Sequence, residues 1–217
     1  MTQILKQGTT SNEVFAIKTH WRQLQHLMRM ARKYLGLTNE TDLEVISILF
    51  SCSNPKFVYI KRRDLLKQAI SWEIAKQTGI FHRMDSSVLE DADPGVFSKS
   101  IELQNSSTQK LVFKPLKIFQ RKEDIKSQNK HWENFFISNS INYYEVIYEN
   151  FIIDIPNIII DLINFIEIEH SISENTVQVP LKKLSNSAKD EWYKYYNYIP
   201  EILLKIARKI NCILNKN

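Results

Sequence analysis

The chain has 217 residues, of which 43% are apolar and 11% aromatic, enough for one substantial core and too apolar for an intrinsically disordered protein. Its 29 basic and 24 acidic residues leave a net charge of +5, which suits an anionic partner without selecting one. The two cysteines, Cys52 and Cys212, form no CxxC pair and no Cys/His cluster. This excludes a disulfide framework and a structural zinc, and it favours a reducing, cytoplasmic compartment.

The sequence contains no segment suited to a membrane. The N-terminal residues lack the basic and apolar regions of a signal peptide. The most apolar stretch begins at Phe151 and is interrupted by Asp154, Pro156 and Asp161, and charged groups are costly in a bilayer. We therefore expect a core helix there and no membrane-spanning segment.

Extended and helical patterns alternate in the first part of the chain. In chain order they predict a strand over residues 13–20, a helix from Trp21, a second helix after the capping residues Thr38 and Thr41, a strand over residues 56–61, and a helix over residues 64–77 that stops at Gly79. Residues 81–120 have a weaker pattern, with a Pro-Gly turn signal. We expect a loop-rich insertion there.

The second part returns to regular patterns. They predict a helix over residues 123–139, a third strand over residues 141–149, a helix from Pro156 to about residue 166, and a helical tail over residues 185–211 with a break at Pro200. Strands separated by helices favour an α/β architecture with parallel neighbouring strands. We expect a single domain over residues 1–217.

The stretch "YIKRRDLLKQAIS" suggests a phosphate site. Arg62 and Arg63 end the second predicted strand, where open α/β sheets bind ligands, beside a helix N-terminus whose free N–H groups favour anions. Ser71 lies about two turns into that helix, so an arginine and a hydroxyl can grip one phosphate. The alternative is that Ser71 bonds back to the carbonyl of Lys67 and the arginines are solvated.

Several segments, taken together, resemble sulfotransferases that use 3′-phosphoadenosine 5′-phosphosulfate. In these enzymes an arginine ends a strand and a serine follows eight residues later, as Arg63 and Ser71 do. The wording "RRD…QA.S…A.QTG…H" is most similar to bacterial carbohydrate sulfotransferases of the trehalose and lipopolysaccharide type. The segments "GTTSNEVFAIKTHW", "HWENFFISNSINYYEVIYENF" and "SNSAKDEWYKYY" agree in order, so the likeness runs from Gly8 to Tyr196.

The resemblance implies a three-layer parallel sheet flanked by helices, of the P-loop NTPase-like sulfotransferase architecture. It implies transfer of a sulfuryl group from 3′-phosphoadenosine 5′-phosphosulfate to a carbohydrate or glycolipid hydroxyl, without a metal. Arg63 and Ser71 would bind the 3′-phosphate, and Lys183 would add a basic contact unless it is solvated. A homodimer is compatible with the resemblance.

The segment "KTH" supplies the candidate catalytic residues. Lys18 and His20 resemble the Lys-Thr-His segment of the eukaryotic cytosolic sulfotransferases, in which the histidine is the base. His20 would act as that base or line the acceptor pocket. The alternative is a histidine at a helix start, capped by the backbone.

Two family segments have no counterpart in this sequence. One is the "PRSGS"-like loop that cradles the 5′-phosphosulfate, and the other is an "EYF"-like segment whose carboxylate acts as base. We therefore expect a chain that is N-terminally truncated relative to the family, as a fragment, a misplaced start or a degenerate relative, with negligible turnover on its own. The competing functions are a non-catalytic sulfotransferase remnant or subunit and a basic nucleic-acid-binding module. The last is disfavoured because no nucleic-acid-binding motif stands out.

Overall fold

A computed structural model of the chain describes residues 5, 7–10, 13–80, 111–168 and 187–214. The described elements, in chain order, are α1 (Trp21–Leu35), α2 (Asp42–Phe50), β1 (Phe57–Lys61), α3 (Leu65–Thr78), α4 (Pro115–Ser138), β2 (Tyr143–Ile147), α5 (Tyr148–Phe151), α6 (Ile155–Ile166), α7 (Ser187–Asn197) and α8 (Glu201–Leu214). Strands β1 and β2 pair in a small parallel sheet. The predicted α/β class is confirmed.

The first of two compact units comprises Met1–Lys61 and Ser127–Val146. Its core is formed by α1, α2, β1 and the second half of α4, and it buries Trp21, Leu24, Met28, Ala31, Val45, Ile46, Leu49, Tyr59, Phe135 and Phe136. The ring of Phe136 lies 4.2 Å from that of Tyr143 and 5.5 Å from that of Tyr59. Helix α1 thus buries every third or fourth residue, as its sequence pattern predicts.

Helix α2 begins where the capping residues predict. The Thr41 hydroxyl accepts the Glu44 N–H at 3.3 Å, and the Glu44 carboxylate accepts the Thr41 N–H at 2.6 Å. This reciprocal pair is a capping box, which satisfies two backbone donors that a helix start leaves open.

The predicted first strand, residues 13–20, is wrong. The segment makes one isolated antiparallel bridge, between Thr9 and Phe15, and runs on as irregular backbone to α1. Ile17 is 55% exposed, so the β-like composition has no strand in the described ranges to pack beside. A Cβ atom at Gly8 would lie 2.8 Å from the Phe15 ring, so a larger residue there would require the ring to shift.

The second unit comprises Arg62–Lys126 and Ile147–Asn217. Its core joins α3, the first half of α4, α7 and α8, and it buries Leu66, Ala69, Ile70, Ile74, Ile118, Phe119, Ile125, Trp192, Tyr196 and Leu204. Helix α3 ends as predicted at Gly79, whose φ of 74° is left-handed and suits glycine.

A charged pair lies within this second core. Glu73 is 3% exposed, and its carboxylate accepts the Arg121 Nε at 2.6 Å and the Gln77 amide at 2.9 Å. The Arg121 guanidinium lies 4.8 Å from the centre of the Trp72 ring. The buried carboxylate is therefore paired and hydrogen-bonded, which offsets its desolvation.

Gln77 also holds a second segment of the chain. Its amide donates to the Val112 carbonyl and accepts the Val112 N–H, both at 2.9 Å. The side chain thus pairs with Val112 as a neighbouring backbone would, across 35 residues.

Two predicted boundaries differ from the structure. Helix α4 begins at Pro115 rather than at residue 123, because Ile118 and Phe119 are almost fully buried and add a helical apolar face before the expected start. Strand β2 ends at Ile147, and the last two residues of the predicted strand begin α5 instead.

The predicted proline positions are confirmed, since Pro156 lies in the first turn of α6 and Pro200 separates α7 from α8. Residues 81–110 of the predicted insertion lie outside the described residues. In the described ranges, no helix has the length and apolar character needed to cross a membrane.

Candidate functional site

The site is the turn between β1 and α3, together with the first residues after β2. Arg62, Arg63 and Asp64 form the turn, and Tyr148 and Glu149 follow β2. Parallel strands end at the same edge of a sheet, so the two segments meet there. All five residues belong to the second unit.

Glu149 bonds to the backbone of the turn. Its carboxylate accepts the Arg63 N–H at 3.1 Å and the Asp64 N–H at 3.4 Å. Burial opposes ionisation of Glu149, but these hydrogen bonds and the positive charge of Arg62 outweigh it and lower the pKa of the carboxyl. Glu149 is therefore held as a carboxylate at neutral pH.

The two arginines have different surroundings. The Arg62 guanidinium lies over the Tyr148 ring, 3.7 Å from its centre, close enough for a cation–π contact. The Arg63 side chain is exposed, and no ion pair or ring contact joins it to another residue in the described part of the chain. Arg63 is therefore the arginine of this turn whose guanidinium is exposed and, among the described residues, without an ion pair or ring contact.

The start of α3 differs from the expected open anion site. Besides the two N–H groups that Glu149 accepts, the Lys67 N–H is bonded to the Asp64 carboxylate at 2.9 Å. Protein carboxylates thus already accept the N–H groups of Asp64 and Lys67, two of the donors that were expected to favour an anion.

Ser71 lies in the second turn of α3 and is half-buried. Within the described ranges, its hydroxyl makes no hydrogen bond to the Lys67 carbonyl, so the back-bonded alternative is not supported. No contact joins Ser71 to Arg63 among the same residues. Arg63 thus lies just before α3 and Ser71 lies in the second turn of the helix, with no described contact between them.

Lys67 was not predicted as a candidate site residue, although it lies four residues from both Arg63 and Ser71. Residues four apart in a helix share a face, so Lys67 and Ser71 are neighbours there. The Lys67 ammonium lies 3.7 Å from the Asp64 carboxylate and 5.2 Å from the centre of the Tyr193 ring. The four-residue spacing was the signal that could have found it.

Lys18 and His20 belong to the first unit and are both exposed. His20 is the N-cap residue of α1, and its backbone N–H donates to the Gln23 side chain at 2.9 Å. His20 thus lies at a helix start, as the alternative expects, and its catalytic role stays a prediction. Lys183 lies outside the described residues. No cluster of three metal-ligating side chains occurs in the described part.

Comparison with known proteins identifies the family. The family model described as Stf0 sulphotransferase matches residues 1–198, which includes both β–α segments of the candidate site. No curated protein matches the chain. The match covers most of the 217 residues. The chain belongs to the Stf0 sulphotransferase family.

Proposed function

We propose that this chain binds 3′-phosphoadenosine 5′-phosphosulfate and serves in transfer of its sulfuryl group to a carbohydrate hydroxyl. Membership of the family makes the chain sulfotransferase-like and implies a sulfate donor. The observation that carries the proposal is the exposed Arg63 at the end of β1, with Ser71 two turns into the next helix. A guanidinium and a hydroxyl in this order suit a terminal phosphate.

In this reaction the bond between the sulfur and the 5′-phosphate oxygen breaks, and a new sulfur–oxygen bond forms to the acceptor hydroxyl. The hydroxyl proton passes to a base, and 3′-phosphoadenosine 5′-phosphate is released. Arg63, Lys67 and Ser71 would hold the 3′-phosphate, which does not react. The binding energy of these contacts therefore positions the donor, as remote contacts do in other transferases. We extend this role to Lys183 on the resemblance alone.

His20 and Lys18 are our candidates for the acceptor side. Both are exposed, so a sugar hydroxyl can reach them. A histidine is suited to take the acceptor proton near neutral pH, and a lysine can balance charge on the transferring group. Where sulfate transfer to a sugar acceptor is measurable, replacing His20 by Gln should lower its rate and leave the affinity for the donor product unchanged. Equal loss of both would place His20 on the donor side.

The family match covers residues of both compact units. This supports our proposal that residues 1–217 make a single sulfotransferase-like domain, in which the part of the predicted insertion that precedes α4 helps to select the acceptor.

Titration calorimetry with 3′-phosphoadenosine 5′-phosphate tests the donor site. Arg63→Ala should weaken binding by about 1.5–3 kcal/mol, because one charge-assisted contact to the 3′-phosphate is lost. Arg208→Ala is the matched control, since Arg208 is an exposed arginine of α8 in the same unit. Equal affinities for the wild type and Arg63→Ala would remove the donor site from this turn.

A further inference from the structure

The carboxylate on the arginine turn comes from far along the chain. Glu149 is 86 residues from Arg63, and its two oxygens accept the consecutive N–H groups of Arg63 and Asp64. We propose that Glu149 is a positioning residue, which fixes the backbone of the turn so that the Arg63 side chain points to the 3′-phosphate. This inference rests on the proposed function of Arg63.

Glu149 is placed to restrict the backbone dihedral angles that direct the Arg63 side chain. Arg63 lies between the end of β1 and the N-cap of α3, so the direction of its side chain follows from the backbone dihedrals of the turn. Two hydrogen bonds to adjacent N–H groups restrict the orientations of both peptide planes. In the described part of the chain, no other side chain accepts these two N–H groups.

Tyr148, which precedes Glu149, contacts Arg62, which precedes Arg63. Tyr148 stacks on the Arg62 guanidinium at 3.7 Å, while Glu149 holds the backbone of Arg63. Of the two consecutive residues after β2, Tyr148 therefore contacts the Arg62 side chain, and Glu149 orients Arg63. Because the backbone of the turn is fixed in advance, ligand binding does not have to order it.

A contrary role for Glu149 predicts the opposite sign. Because the carboxylate is negative and occupies two donors, it could act as an internal stand-in for the phosphate and compete with it. In that case its removal would free two N–H groups and tighten anion binding. Under the positioning role its removal weakens binding of ligands that have a 3′-phosphate.

The experiment compares two ligands on a set of variants. We measure the affinities of 3′-phosphoadenosine 5′-phosphate, which is adenosine 3′,5′-bisphosphate, and of adenosine 5′-phosphate by calorimetry. Glu149→Ala should bind the bisphosphate about fivefold to tenfold more weakly and bind the monophosphate as the wild type does. Glu149→Gln, which keeps an acceptor oxygen, should recover part of the loss. Glu145→Ala is the matched control, because Glu145 is an acid of β2 that pairs with Lys61 and not with the turn.

A double-variant cycle separates this proposal from the one that it rests on. With Arg63 already replaced by Ala, Glu149→Ala should have no further effect on the bisphosphate. If Arg63→Ala alone changes nothing, the proposed donor site fails. If Arg63→Ala weakens binding but Glu149→Ala leaves it equal or tighter, or weakens both ligands alike, the positioning role fails while the donor site stands. If Glu149→Ala does not fold, Glu149→Gln and its cycle with Arg63→Ala decide.

Discussion

The two compact units differ in what holds their cores together. The first unit packs aromatic and aliphatic side chains, and no charged residue is buried among those described in it. The second unit buries Glu73 and pairs it with Arg121. Hydrophobic contacts are non-directional, whereas a hydrogen-bonded ion pair is satisfied in few geometries. Helix α3, which carries Glu73, also carries Lys67 and Ser71, so directional contacts orient the helix of the candidate site.

The largest expected effect is a loss of stability in the apolar core of the first unit. Phe136→Ala should lower the free energy of unfolding by about 3–5 kcal/mol, because it leaves a cavity among the stacked rings of the first core. Denaturant titration measures the loss. Ile137→Ala is the control on the same helix: Ile137 is 77% exposed, so its replacement should cost less than about 0.5 kcal/mol. Equal losses would show that the aromatic cluster does not hold the first unit.

The charged side should break for a different reason. Arg121→Ala leaves the Glu73 carboxylate buried without its partner and should destabilise by about 2–4 kcal/mol. Replacing both residues, Glu73→Leu with Arg121→Met, should recover most of this loss, since no charge then stays buried. Additive losses in the double variant would contradict the coupling. Circular dichroism during urea unfolding is a sufficient measurement.

High pH tests a feature that both units share, a buried tyrosine hydroxyl. Each buries one tyrosine, Tyr59 or Tyr196, whose hydroxyl has no hydrogen-bond partner in the described residues. Burial, with Glu201 and Glu123 nearby, raises the pKa of Tyr196 from 10.0 to about 12. The native state therefore resists ionisation that the unfolded chain allows.

Stability that Tyr196 contributes is complete below pH 10 and is lost as the pH rises towards 12. The loss is on the order of 1 kcal/mol at pH 11. Tyr196→Phe should unfold like the wild type at pH 8 and be more stable than it at pH 11, as measured by urea titration at both values. The exposed Tyr198 gives the control, Tyr198→Phe, which should show no such difference. Parallel pH profiles of wild type and Tyr196→Phe would refute the assignment.

The smallest effect concerns a helix start in the first unit. Thr41→Ala removes the hydroxyl that accepts the Glu44 N–H and should destabilise by about 1 kcal/mol. Thr41→Ser keeps the acceptor and should lose much less. The same loss in both would show that the methyl group of Thr41, rather than its hydroxyl, is what matters.

The sequence predicted the elements whose signals are local. Thr41 and Glu44 lie three residues apart, and Gly79 directly follows α3, so a helix start and a helix stop were visible within one turn. The segment 13–20 failed because a strand needs a partner, and β-branched residues alone do not supply one. The exposed Ile17 shows how composition can imitate a strand.

The candidate site was predictable only in its first half. The spacing of Arg63 and Ser71 is local to one strand, turn and helix. The hydrogen bonds of Glu149 to the turn join residues 85 and 86 positions apart, and no periodicity reports such a contact. The occupied N–H groups at the start of α3 therefore became visible only in the structure.

The paired amide of Gln77 has a consequence for protein engineering. It closes the intervening stretch at its base through two hydrogen bonds to Val112. A change that keeps Gln77 and Val112 keeps these two hydrogen bonds, whereas a replacement of Gln77 also removes a donor from the buried Glu73 carboxylate.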